Sequence, residues 1–571
     1  MRVIGLRLAA TVLFGVSVTA PFGGGLTACG ARPDDAGSAA AQADEAVPST
    51  GCVVNEPITA DGYTAFSTVD PTLVTRKIVV NGALVQDPQA TITPTSDQIA
   101  TATVNINTYL ATINALGDNM RRHELYSQTE INAGRGIPQP YCLFHAAGQP
   151  IYGTVILFHG MADRPHQQGK LASYLFHSGF NIYNVFLADQ FIVNQNNKSV
   201  DNVQAAGGDS TALWPRLDYN PAFASQVEAL VAANQTTLAP ILTTLEQGTS
   251  PSNLSPAQQM TIESVLGPQL AQWTAAWANP DPSSAAFAQV FNVRNPATDG
   301  TQVAPGDDAP TRAQKMLAAA GTADFFDYVR DGAARIADIA PLGGPVFLHG
   351  LSVGGQVAFA VAENDGGANV RAVLNHSPWL QSISASNNEQ LKMVGGLDQN
   401  INSVSPGNYP IVWTPHDIAF SPAAVAANLA LGQWVQNNHA KIGQIPTATV
   451  MTAADDSADN TATNAFVGTL NADLTSALGG AAPATSIHQT ATYPVALNVG
   501  HAMTDPENYL DGAPENWNHY FRQLYQESFR FYLTGQLAPN GLGVNPQVQD
   551  PTLPQAACVI PDFPGRCNVT N

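Results

Sequence analysis

Apolar residues in this chain fall into short β-branched runs separated by stretches of helical period, and the alternation starts at Ile151. Gly153-Thr154-Val155-Ile156-Leu157-Phe158 is a continuous run of the kind made by a parallel strand covered on both faces. It ends at His159-Gly160; a helix over 167–178 and a second strand from Phe180 to Leu187 then complete a β-α-β unit. Further on, Pro345-Val346-Phe347-Leu348, Val370 to Leu374, Thr447 to Thr452 and Tyr493 to Val499 read as strands, while Thr311 to Ile339 and Gly355 to Glu363 read as helices. Such alternation predicts an α/β fold with a mainly parallel central sheet.

Other stretches do not follow the pattern. Helical patterns at Ala222 to Gln247 and Pro256 to Ala278 are broken by Gly, Pro, Asn and Ser clusters, so 191–309 is expected to be a helical cap or lid inserted into the core. Within it Trp273 and Trp277 share one helix face, which either lines an apolar site or, more commonly, forms a buried stripe. Residues 51–145, with a helix over Ser96 to Leu116, are read as an extension packed on the core. The core itself spans 146–190 and 310–537, and the Pro- and Asn-rich residues 538–571 form a tail over the surface.

Composition narrows the class. Of 571 residues 44% are hydrophobic and only 12% charged, which describes a folded protein with a surface of Asn, Gln, Ser and Thr. A formal charge of −21 argues against nucleic acid and anionic lipid head groups as partners. Arg2 and Arg7 precede an apolar run from Leu8 to Ala20, a targeting signal. Leu26-Thr27-Ala28-Cys29 resembles a bacterial lipobox, which would make 1–28 a signal peptide, Cys29 the lipidated first residue and 29–50 a tether. The other reading is cleavage after Val18-Thr19-Ala20, leaving Cys29 a free thiol. On the lipobox reading the protein is exported to the cell envelope, on its outer face or in the periplasm, or released from it, and touches membrane only through the lipid. No later stretch reaches the ~18 uninterrupted apolar residues of a spanning helix.

Four cysteines remain, Cys52, Cys142, Cys558 and Cys567, an even number in an exported chain and so two disulfides. Of the three pairings, Cys558 with Cys567 is preferred, leaving Cys52 to join Cys142. A zinc site would want a paired C-x-x-C spacing that this sequence lacks, so no metal and no cofactor is expected.

The chemistry centres on Gly350-Leu351-Ser352-Val353-Gly354, which directly follows a strand pattern and directly precedes a helical one. A side chain on so sharp a strand-to-helix turn needs neighbours without bulk, which glycine supplies. A serine hydroxyl also needs a base, itself oriented by a carboxylate. His501, after Gly500 at the end of the run Tyr493 to Val499, is the candidate base. His488 stands before that run, His519 inside a helical pattern, and His376 and His416 ahead of the acid. Asp455, Asp456 and Asp459 follow the Thr447 to Met451 strand; Asp455 is preferred because the small apolar Ala458 behind it can tuck inward, and Asp456 is the alternative. Asn375-His376-Ser377-Pro378-Trp379, after the preceding strand, holds no carboxylate. Amides of Met161, in the His159-Gly160-Met161-Ala162 loop, and of Val353 are candidate donors to an oxyanion.

Leu157 to Pro165, Gly179-Phe180-Asn181-Ile182, Gly350 to Gly354, Asp455 and Gly500-His501 together resemble the α/β-hydrolase superfamily, in its lipase, monoacylglycerol-lipase-like and carboxylesterase branch. The resemblance covers roughly 150–190 and 340–535. It departs from the family in the longer spacings between oxyanion loop and nucleophile and between acid and histidine, and in Asp189-Gln190 standing where relatives have a G-H-G turn. It implies an α/β-hydrolase fold and a serine hydrolase acting on carboxylic esters, with Ser352, Asp455 and His501 as triad and a small-molecule or lipid-like ester as substrate. Amide or peptide hydrolysis and acyl transfer use the same residues, and a non-catalytic envelope binding protein is the reading from another class.

Overall fold

The computed structural model describes residues 52–54, 69–115, 140–161, 165–188, 191–194, 210–213, 215–246, 254–301, 304, 307–320, 324–383, 388, 392, 422–504, 518–538, 542 and 548–556. Cys29, Cys558 and Cys567, and with them the lipobox and the C-terminal disulfide loop, lie outside the described residues.

The strands are β1 Cys52–Val54, β2 Lys77–Val80, β3 Ala83–Gln86, β4 Tyr141–Phe144, β5 Thr154–Phe158, β6 Asn181–Val185, β7 Phe191–Asn194, β8 Ser210–Leu213, β9 Val346–Leu351, β10 Val370–His376, β11 Thr447–Thr452 and β12 His488–Tyr493. Eight of them form one sheet in the order β1-β4-β6-β5-β9-β10-β11-β12. Every neighbouring pair in it is parallel except β4 with β6. Counted along the chain these eight strands stand in the order 1-2-4-3-5-6-7-8, the arrangement of an α/β-hydrolase fold. The fold class read from the alternation of strands and helices is the one observed.

The central strands are apolar because both faces are covered. The helices are α1 Ser96–Ala115, α2 Gly169–His177, α3 Pro221–Ala233, α4 Gln235–Glu246, α5 Pro256–Ala278, α6 Ala285–Val290, α7 Ala309–Ala320, α8 Asp327–Ile339, α9 Val353–Asp365, α10 Pro422–Asn437, α11 Asn460–Ala477 and α12 Phe521–Thr534, besides one short turn of helix at Pro296–Asp299. On one face Ile106 of α1, Ile336 of α8, Val357 of α9 and Leu429 of α10 pack with Ile156 and Leu348. On the other, Leu175 of α2 and Tyr525, Phe529 and Tyr532 of α12 pack with Val155, Phe347 and Leu374. Burying such side chains supplies about 1.5–3 kcal/mol each, so β5 and β9 sit where the fold is best held.

The segment before the core does more than pack against it. Its β1 and β4 add two strands to the sheet, side by side in register with Cys52 opposite Cys142, and those residues form a disulfide with Cα atoms 4.5 Å apart. Between β6 and β9 lie the antiparallel pair β7–β8 and helices α3 to α7. The pattern from 222 to 247 is two helices, α3 and α4, broken at Asn234, whose amide still caps α3. Thr311 to Ile339 is likewise α7 and α8, because Asp324 accepts from the Phe326 amide at 2.8 Å and pairs with Arg330 at 2.9 Å. Trp273 and Trp277 form the buried stripe. The Trp273 indole donates to Tyr219 at 3.1 Å, and Tyr219 stacks on Phe291, so the pair sits inside the insertion's own aromatic core.

One strand is corrected. Tyr493 to Val499 is not the last strand; that strand is His488–Tyr493, parallel to β11, and 495–497 is a single 3-10 turn. Pro494 cannot donate to a ladder, and His488-Gln489-Thr490-Ala491-Thr492-Tyr493 has the alternating burial of a sheet edge. Among the described residues no helix is long and apolar enough to cross a membrane.

Candidate functional site

Ser352 stands between β9 and α9 at φ 55 and ψ −121, a conformation that an L-residue holds only when its surroundings impose it. They do so through three main-chain bonds: the Ser352 amide donates to the His376 carbonyl at 3.1 Å, and the Ser352 carbonyl accepts from Gly355 at 2.9 Å and Trp379 at 2.9 Å. The flanking glycines follow from contact. A Cβ on Gly350 would meet the Gly354 carbonyl oxygen at 2.2 Å, and one on Gly354 would meet the carbonyl oxygens of Phe158 at 2.2 Å and His159 at 2.4 Å. Gly354→Ala therefore presses backbone on backbone and is expected to lower the free energy of unfolding by about 3 kcal/mol. Gly468→Ala, in α11 with nothing within 4 Å of the new carbon, is expected to be neutral or stabilising by up to about 1 kcal/mol. Urea midpoints compare the two; equal midpoints would remove the steric account of the motif.

The three aspartates after β11 separate into three environments. Asp459 is the N-cap of α11, its carboxylate accepting from the Thr461 and Ala462 amides. Asp456 is exposed. Asp455 is buried, its Oδ1 accepting from the Ser457 amide at 2.9 Å and the Ala458 amide at 2.8 Å. Its carboxylate also faces His501, whose Nδ1 lies 3.0 Å from Oδ1 and 2.9 Å from Oδ2. Ala458 is buried behind it, as the choice of Asp455 over Asp456 assumed.

Burial works to raise the Asp455 carboxyl, but the charge and hydrogen bond of His501 and the two amides outweigh it and hold Asp455 below the ordinary range. For His501 burial works downward, and Asp455, with a further contribution from Asp456, turns the balance upward. An ionised carboxylate only accepts hydrogen bonds, so the neutral imidazole keeps its proton on Nδ1 and presents a lone pair at Nε2.

Sheet register brings this pair and Ser352 to one rim. Leu351, the last residue of β9, is aligned with His376 of β10, and His376 with Val450 of β11, so the three strands end side by side. Trp379 spans the gap: its amide donates to the Ser352 carbonyl and its indole to the Ser457 carbonyl at 3.1 Å. The hydroxyl of Thr452 donates to the Val499 carbonyl at 2.6 Å, tying the end of β11 to the loop that carries His501. His501 thus reaches the rim from a loop eight residues past the end of β12 rather than from a strand end.

The loop after β5 closes the other side. The Leu187 amide donates to His159 Nε2 at 3.1 Å, so the His159 proton is on Nδ1 and is donated to the Gly160 carbonyl at 2.7 Å. In a trans peptide the N–H points opposite to the C=O. Holding the Gly160 carbonyl therefore orients the Met161 amide, and the approach of Gly354 to Phe158 and His159 sets this loop against the start of α9, where Val353 lies. Asn428 of α10 also reaches the loop, its Nδ2 donating to the Met161 sulfur at 3.0 Å. Ala162 falls outside the described residues.

His159, His376, Trp379, Thr452 and Asn428 were not singled out as supports from the sequence. A signal existed for one residue: His376 places an imidazole at the end of a largely buried strand, where its hydrogen bond to Thr504 through Nδ1 offsets part of its desolvation. No group of three or more His, Cys, Asp and Glu side chains able to hold a metal occurs among the described residues.

No protein-family model matches the chain, and no curated protein matches it. Solved structures similar to it include one reported with the metagenome-derived lipolytic enzymes LipS and LipT, 11% identical over 69% of this chain and 97% of that one, with a TM-score of 0.31. A monoacylglycerol lipase of Paleococcus ferrophilus is 12% identical over 67% of this chain and 95% of that one, with a TM-score of 0.30. A soluble variant of the monoglyceride lipase of Saccharomyces cerevisiae is 10% identical over 68% and 88%, with a TM-score of 0.30.

Proposed function

We propose that this chain is a serine hydrolase that cleaves carboxylic esters through an acyl-enzyme. One observation carries the reading: a buried Asp455, paired with a partly buried His501, stands at the same sheet rim as a serine held at φ 55. His501 Nε2 takes the proton of the Ser352 hydroxyl as Oγ attacks the ester carbonyl. The amides of Met161 and Val353 receive the oxyanion, and His501 returns the proton to the leaving alcohol. Water, deprotonated by the same nitrogen, then releases the acid and restores Ser352.

The helical insertion is proposed to cover the site and set acyl length. It touches the core helix that reaches Met161, because the Leu217 amide donates to the Ala423 carbonyl at 3.0 Å. A fluorophosphonate probe tests the reading through stoichiometric labelling, and p-nitrophenyl esters from acetate to palmitate then define the acyl preference. A folded wild-type protein that neither labels nor hydrolyses any ester of the series would exclude it.

The pH dependence has a definite sign. His501 acts as a base only when neutral, and Asp455 and Asp456 favour its protonated form, so kcat/KM is expected to fall as pH drops along a limb displaced above the ordinary histidine range. Asp456→Asn removes the charge of an exposed side chain; it is expected to move that limb to lower pH and to change the plateau by less than about threefold. A limb that stays in place would show that Asp456 does not act on His501.

A further inference from the structure

The end of β10 contributes no carboxylate, yet it touches both halves of the site. The carbonyl of His376 accepts the Ser352 amide at 3.1 Å. The imidazole of the same residue shares a hydrogen bond of 2.8 Å, through Nδ1, with Thr504 Oγ1, three residues beyond His501. Both His376 and Thr504 are fully buried. Other supports of the His501 loop come from elsewhere: Thr452 on Val499, Asn518 on the Met503 carbonyl at 2.7 Å and Tyr525 on the Thr504 carbonyl at 2.9 Å. None of these bonds also reaches Ser352.

We propose that His376 is a positioning residue, which sets the distance and angle between the nucleophile turn and the histidine loop by holding one with its main chain and the other with its ring. The inference rests on the reading of Ser352 and His501 as partners. His376 takes no part in proton transfer: burial, and then the adjacent His349, push it well below the ordinary histidine range, so it is an uncharged strut at the pH where His501 titrates. The two rings lie edge to face with centroids 4.4 Å apart, and His349 Nδ1 is 3.3 Å from the Tyr532 hydroxyl, so the strut is braced from α12. Placing an imidazole on a buried strand is costly, and a hydrogen bond that fixes a reacting geometry is a reason to keep it.

The test uses the full chain and four variants: His376→Phe, which keeps a ring without a nitrogen; His376→Asn, which keeps an amide near the place of Nδ1; Thr504→Val; and the double variant His376→Phe with Thr504→Val. Misplacing a reacting group by about 1 Å costs on the order of 10²-fold. His376→Phe and Thr504→Val are accordingly expected to lower kcat by about 10- to 100-fold with KM within about twofold. The double variant is expected to be no slower than the worse single one, and His376→Asn to recover most of the rate.

Because a loosened loop weakens the hold of Asp455 and Asp456 on His501, the acidic limb of kcat is expected to move to lower pH in both single variants, a change that general destabilisation does not produce. Should His376→Phe not fold, Thr504→Val, with its near-equal volume, carries the comparison. If the wild type hydrolyses esters and loses that activity in Ser352→Ala, while folded Thr504→Val and His376→Phe keep both rate and limb, the positioning role is wrong and the hydrolase reading stands. A wild type without Ser352-dependent hydrolysis overturns both.

Discussion

Ser352→Ala is expected to lower ester turnover on the order of 10⁴-fold or more and to abolish covalent labelling, while leaving the melting temperature near that of the wild type. The substitution keeps the Cβ and the three main-chain bonds that impose the turn, so the fold loses little. What disappears is the hydroxyl of the elbow, the proposed nucleophile. Residual hydrolysis would come from the oxyanion donors acting on a water-borne attack. Wild-type turnover in a folded Ser352→Ala protein would move the nucleophile elsewhere and end the proposed mechanism.

Asp455→Asn is expected to cost about 10⁴-fold in kcat near neutral pH, through a proton on the wrong nitrogen rather than through a lost charge alone. In the native site Oδ1 accepts two amides, from Ser457 and Ala458, and Oδ2 lies 2.9 Å from His501 Nδ1. An asparagine must keep its oxygen where the two amides point and so turns its NH₂ toward His501. The imidazole then has to accept at Nδ1 and carry its proton on Nε2, where it can no longer receive the serine proton. Asp456→Asn meets neither constraint and serves as the control; kcat and pH profiles of the two variants decide between the acids. Equal losses in both would show that the pair acts through net charge, and a larger loss at Asp456 would reverse the choice.

Much of this site was legible because its chemistry imposes local rules. A nucleophile on a strand-to-helix turn needs glycines two residues away on each side, and Gly350 and Gly354 stand four letters apart and also meet each other in space. The preference for Asp455 over Asp456 had a local basis too, since a carboxylate that accepts the amides two and three residues ahead needs a small residue there, and Ala458 is that residue. The parallel sheet announced itself as apolar runs because both faces of β5 and β9 are buried.

The misses share a cause, which is that long-range pairing leaves little mark on neighbouring letters. β12 is a polar edge strand, whereas the apolar run that follows it is a turn around Pro494; at an edge, hydrogen bonding to β11 decides the strand and hydrophobicity does not. β1 and β4 join the sheet although 90 residues separate the cysteines that face each other on them. The chain's own order of letters determined the residue types at the site, the turn that strains Ser352 and the alternation that makes an α/β sheet, since each depends on neighbours within a few positions. Tertiary structure alone decided that His376, Trp379 and Thr504 hold that site together, because the bonds from His376 and Trp379 to Ser352 and from His376 to Thr504 span 24 to 128 residues in sequence and exist only once the strands lie side by side.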